Sequence, residues 1–67
     1  MLQSHNFQII HVSDRCCNAL ADGKSCILYF YPDQSIPKVG EMVELAVSCI
    51  SIKNGFKEFD VKGFSVA

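Results

Sequence analysis

Hydrophobic and polar positions divide this chain into short stretches separated by turn-forming residues. Phe7 to Val12 (FQIIHV) is a β-branched and aromatic run of the strand type. Ser13 follows it and can cap the free amides of a helix beginning at Asp14. Within that stretch Cys16, Cys17, Leu20 and Ala21 recur at one-turn spacing, and Gly23 stands where a helix ends. Ser25 to Tyr31 (SCILYFY) is apolar on both faces and predicts a central strand stopped by Pro32. After a loop of turn formers up to Gly40, a long strand is expected from Glu41 to Ile52. Asn54-Gly55 is the strongest hairpin signal in the chain, and Phe56 to Val66 should return antiparallel. The predicted order is β-α-β-β-β: a mainly β (α+β) domain with one short helix and a C-terminal hairpin.

A two-residue turn at Asn54-Gly55 pairs Lys53 with Phe56, Ile50 with Phe59, Leu45 with Phe64 and Val43 with Val66. In that register one face is apolar near the chain end and the opposite face near the turn. The switch falls around Ala46 to Ser48, opposite Val61 to Gly63, and glycine permits a sharp bend there. A strongly coiled ribbon follows, and a small, partly closed barrel is its natural setting.

With 67 residues the chain has room for one domain, residues 1–67, and one core. Apolar residues at 49% match a packed globule and exclude a disordered composition. A formal charge of −1 removes any bulk attraction to phosphate or anionic lipid, so nucleic-acid binding has to be local. The apolar run from Cys26 to Tyr31 is far shorter than a membrane span, and the start of the chain shows no secretory signal; a cytoplasmic protein that engages no membrane is expected.

Cys16, Cys17, Cys26 and Cys49 read as free, packed thiols, ahead of a disulfide framework or a metal site. The cysteines and His5 and His11 lack the paired spacing of zinc ligands, and adjacent cysteines on a helix point about 100° apart. His11 near Cys16 or Cys26 is the only arrangement suggesting nucleophilic catalysis, and a strand histidine is more often a satisfied polar residue. Neither a catalytic residue, a metal nor a cofactor is expected, and the chain reads as a non-enzyme.

Two binding surfaces are expected instead. Ile50, Ile52, Phe56 and Phe59 lie near the hairpin turn, where a small core reaches only one face of a ribbon; they form a candidate protein-binding patch, as in a small adaptor or inhibitor of the sort phages and mobile elements encode. The same patch, or an unpaired strand edge, offers a route to a homodimer. Alternatively, Tyr29 and Tyr31 share a strand face near Lys24, and rings beside a cation can stack RNA bases.

The sequence Ala19-Leu20-Ala21-Asp22-Gly23-Lys24, followed by a strand, a proline-containing loop and Val39-Gly40-Glu41-Met42-Val43-Glu44-Leu45, resembles the ASCH domains of the PUA-like superfamily. The resemblance covers about Asp14 to Leu45. It implies a small β-barrel and binding of RNA or a nucleotide, with amidohydrolase activity on modified cytidine in some members. Where that family commonly carries a second lysine, a threonine and a strand arginine, this chain has Ser25, Cys26 and Phe30, so the resemblance implies the barrel without the catalysis.

Overall fold

The structure is a computed structural model and describes residues 2–64, the last of them in its backbone alone. Five strands follow one another along the chain: β1 (Gln3–Ser13), β2 (Cys16–Ala21), β3 (Lys24–Tyr29), β4 (Met42–Lys53) and β5 (Phe56–Phe64). They close into a barrel in the order β1-β2-β3-β5-β4, with β4 returning to β1. Three strands in a meander, with a fourth lying back beside the first, make a Greek key. β5 fills the remaining gap.

The first four strands alternate in direction around the key, so β5 runs antiparallel to β4 and must run parallel to β3. A closed ring of five strands always contains such a parallel pair. Closure is shared by the two longest strands. The first half of β1 pairs with β4, from Gln3 opposite Val47 to Gln8 opposite Met42, and its second half pairs with β2.

The helix expected from Asp14 is absent; that stretch is a tight turn and strand β2. Cys17 and Ala19 are buried while Asn18 is exposed, which is strand alternation; Cys16, Cys17, Leu20 and Ala21 keep a helical spacing, but in the strand they divide between the faces, Cys17 and Ala21 inward and Cys16 and Leu20 outward. Asp22-Gly23, read above as the end of that helix, is a second hairpin turn like Asn54-Gly55. Both residues of each pair have positive φ, Asp22 52° and Gly23 75°, Asn54 50° and Gly55 79°, matching the twist of the strands they join. The domain is therefore mainly β without the α component, and the barrel is closed where partial closure was expected.

The C-terminal hairpin keeps the expected register at both ends and departs from it in the middle. Lys53 pairs with Phe56 and Leu45 with Phe64, but Phe59 faces Cys49 in place of Ile50. Ile50 is an extra residue on β4, and Lys62 an extra residue on β5, so two bulges on opposite strands cancel. Between them Val47 is brought opposite Val61, and both are buried. The bend anticipated near Gly63 is this second bulge. The expected pairing of Val43 with Val66 lies outside the described residues.

A third bulge, at Ile10 in β1, shifts the alternation so that Ile9 and Val12 both face inward while Ile10 and His11 face out. The core is formed by Phe7, Ile9, Leu28, Leu45, Val47 and Val61, all at most 1% exposed, with Cys17, Ala19, Cys26, Phe30 and Phe59 around them. One barrel end is plugged by the 30–41 connection. Ile36 packs on the core there and Pro37 is buried. Arg15 fastens this loop, donating to the carbonyl of Tyr31 from Nε at 3.0 Å and Nη2 at 2.6 Å and to that of Gln34 from Nη2, while Gln34 Nε2 donates to Val61 O at 2.8 Å.

Truncating Leu28, which no solvent reaches, removes atoms from the centre of this packing. Leu28→Ala should destabilise the domain by about 2–5 kcal/mol, whereas Ile50→Ala, at an exposed bulge, should cost under about 1 kcal/mol; urea unfolding of both variants checks the contrast.

Candidate nucleic-acid interface

Strand alternation sends Ile27 and Tyr29 of β3, Leu20 and Asn18 of β2, and Phe56 and Glu58 of β5 to the outer face. At the hairpin-turn end of this face a groove of about 310 Å³ opens across β1, β2, β3 and β5. Its walls include Ile10, Leu20, Ile27 and Phe56, with Asn18 and Ser25 supplying polar groups. Ile10 (46% exposed) and Phe56 (44% exposed) are large apolar side chains left in solvent at a concave site. Lys53 lies directly opposite Phe56 in the hairpin register.

A second cavity, of about 180 Å³, occupies the barrel end that the long loop leaves open. Lys24 and Lys57 stand on its lip beside Asp22, and His5, Cys26 and Phe59 form its walls. The His5 ring is held by a bond between Nε2 and Gln3 Oε1 (2.9 Å) and packs against Phe7 and Phe59, with centroids 6.0 and 6.2 Å away.

Tyr29 lies on the outer face of β3, whereas Tyr31, expected on the same strand, falls beyond its end in the 30–41 connection; both lie toward the opposite end of the barrel. Tyr29 donates its hydroxyl to Glu58 Oε2 at 3.1 Å, and Tyr31 donates to Asp60 Oδ2 at 3.4 Å. Lys62 donates from Nζ to the Tyr31 hydroxyl at 2.9 Å, which raises the lysine above its ordinary range. Glu58, 9% exposed, also accepts a hydrogen bond from the Ser51 hydroxyl. That bond first, and the one from Tyr29 second, hold the Glu58 carboxyl below the usual carboxylate range, and the Glu58 bond raises the Tyr29 hydroxyl. At this end the carboxylates of Glu58 and Asp60 stand with the cations Lys62 and Arg15, and both tyrosine hydroxyls are already hydrogen-bonded.

Lys24 is not part of this group. It begins β3 on the inward-facing set with Cys26, about 17 Å along the strand from Tyr29 at roughly 3.3 Å per residue. Within the other expected set, Ile50 (49% exposed), Ile52 (66%) and Phe56 are open to solvent, but Phe59 is a core residue at 4%. The bulge at Ile50 moves Phe59 opposite Cys49 and turns its ring onto Phe7, with centroids 5.9 Å apart. Sequence reasoning missed Ile10, Leu20 and Lys57. The first two become neighbours only once the 16–21 stretch is a strand beside β1, and Lys57 could have been found from its position two residues beyond Gly55.

All four cysteines are free. Burial pushes the Cys26 thiol up to about 11, and it also raises Cys16 and Cys17. Cys26 donates to the Ala19 carbonyl at 3.4 Å, so it serves the core as a small hydrophobe with a weak hydrogen bond. Among the described residues no three His, Cys, Asp or Glu side chains gather in a metal-binding group. No helix of the structure is long and apolar enough to cross a membrane.

Two measurements check these environments. At pH 8 a thiol reagent should label exposed Cys49 in the native chain and reach Cys17 and Cys26 only on unfolding, as read by mass mapping of the labelled peptides. Because the folded Glu58 carboxyl is lowered, its contribution to stability is complete above the unfolded carboxylate pKa and is lost as pH falls through the folded value. Thermal unfolding from pH 7 down to pH 3 should therefore show a smaller loss of Tm for Glu58→Gln than for the parent. Comparison of the chain with protein-family models, with curated proteins and with solved structures finds no match.

Proposed function

We propose that this protein binds single-stranded nucleic acid across the outer face of β1, β2, β3 and β5, with Phe56 as a stacking platform in the groove. The observation carrying the reading is the open apolar groove of Ile10, Leu20, Ile27 and Phe56 on a five-stranded Greek-key barrel, next to the hairpin lysines. Architecture adds support by analogy. Five-stranded Greek-key barrels of the oligonucleotide-binding type use the β2–β3 face and the neighbouring loops to bind oligonucleotides. The groove is lined mainly by apolar side chains, which do not attract a duplex backbone, whereas an unpaired base can lay its ring on Phe56 and its edge on Asn18 or Ser25. Lys53, opposite Phe56, supplies local positive charge in a chain whose net charge is −1.

This reading retains the nucleic-acid expectation drawn from Lys24, Tyr29 and Tyr31 and shifts its centre to Phe56. The shift follows the hydrogen bonds, since both tyrosine hydroxyls are already engaged by Glu58 and Asp60. A labelled oligo-dT should bind with an affinity that falls as salt rises, by about 0.7 log units per log unit of salt for each phosphate neutralised. Phe56→Ala should weaken it by about 1–3 kcal/mol, roughly 5- to 150-fold, with the fold intact because the ring is exposed. Fluorescence anisotropy reads both effects, and absence of saturable binding at low salt overturns the reading.

One observation favours protein binding as a second reading. β1 leaves β4 at Val47, so Ser48 to Lys53 are paired on the β5 side only among the described residues, and Ile50 and Ile52 are exposed on that stretch. An open edge with apolar side chains can accept a strand from a partner chain or from a second copy. A non-enzymatic adaptor or inhibitor would use it. An Ile50→Asp/Ile52→Asp variant that keeps the fold should then lose the bound protein partner, or the dimer, in sedimentation analysis, and unchanged assembly removes this second reading.

A further inference from the structure

We infer that the open mouth of the barrel is a phosphate subsite, separate from the stacking groove, in which Lys24 and Lys57 grip a phosphodiester of the bound strand. The inference deepens the proposed function and rests on it for the identity of the ligand.

The mouth combines several features that a purely structural lip does not need. Lys24 and Lys57 occupy strand positions of the inward-facing set, since Cys26 and Lys57 are register partners across the parallel pair β3–β5. An inward position normally takes an apolar side chain. Here two separate strands each end this row with a lysine at the same rim, beside a cavity of about 180 Å³. Neither ammonium has a hydrogen bond or an ion pair among the described residues, whereas Arg15 and Lys62 at the other end are both engaged. Asp22 on the turn offsets one of the two charges, so the rim keeps a net positive charge. The floor is formed by core side chains: Cys26 and Phe59 are 4% exposed, and the packed His5 ring forms a wall.

Lysine binds phosphate as a point charge with three donors, and two ammonium groups converging on one cavity suit the tetrahedral oxygens of a phosphodiester. The mouth and the groove are neighbours. Ser25 and Cys26 line both, one from each face of β3, so a strand stacked on Phe56 can turn its backbone over the lip formed by the Asp22-Gly23 and Asn54-Gly55 turns.

Two arms on the full chain test this. In the first, the ¹⁵N-labelled protein is titrated with inorganic phosphate against chloride at matched ionic strength. Amide shifts should move at His5, Lys24 and Lys57 and stay still at Tyr29 and Tyr31, and the movement should vanish in Lys24→Gln/Lys57→Gln. In the second, oligo-dT with and without a 5′-phosphate is bound across a salt series. The glutamine pair should flatten the salt slope by about 1.4, two phosphate contacts at roughly 0.7 each, equally for both oligonucleotides, and Lys24→Arg/Lys57→Arg should restore it. A flattening seen only with the 5′-phosphorylated oligonucleotide overturns the phosphodiester assignment in favour of a terminal phosphate. If the parent binds oligo-dT while the mouth ignores phosphate and the slope is unchanged, the subsite is wrong and the proposed function stands. If phosphate moves the mouth residues but no oligonucleotide binds, the strand is the wrong ligand and the proposed function falls with it.

Discussion

Closure of the backbone hydrogen-bond ring through the parallel pairing of β3 with β5 is the constraint on which the rest of this protein depends. Without it the sheet has two free edges, and a chain of this length has no second layer with which to cover them. Closure imposes inside and outside on every strand. Each residue then belongs either to a single core or to a surface, and the side chains left over decide where ligands can go.

Bulges reconcile that geometry with the sequence. Ile10 in β1, Ile50 in β4 and Lys62 in β5 each sit where a strand carries one residue more than its partner. Every bulge lets the apolar set stay inside while the strand bends, by shifting the alternation of the residues that follow it. At Ile10 the extra residue is a wall of the groove. At Ile50 it is an exposed apolar side chain on a half-paired strand, and it also sends Phe59 into the core.

The two ends of the barrel differ in consequence. At one end the 30–41 loop is clamped by Arg15 and Gln34, and the tyrosine hydroxyls are bound to Glu58 and Asp60, so its polar groups are largely satisfied internally. At the other end two hairpin turns leave Lys24 and Lys57 uncommitted over a hollow, next to the groove floored by apolar side chains. The proposed ligand, part ring and part anion, is assigned to that second end, whereas the first serves as the barrel's fastening.

Much of this was legible from local signals. Asn54-Gly55 determined the last hairpin and both ends of its register, the SCILYFY run marked a central strand, and the composition called for one core. The stretch from Asp14 to Gly23 was not decided locally, because Cys16, Cys17, Leu20 and Ala21 keep a helical spacing while Cys17, Ala19 and Ala21 keep a strand alternation, and Asp22-Gly23 serves a helix end as readily as a hairpin. Pairing with β1 and β3 resolved it by burying Cys17 and Ala19 against the core. The bulges, the burial of Phe59, the separation of Lys24 from the tyrosines and the meeting of Ile10, Leu20 and Phe56 belong to tertiary structure alone. The sequence by itself specified the apolar content and the turns. Which apolar residues were left outside depended on how five strands could be made to meet in a ring, and only the closed barrel settles that.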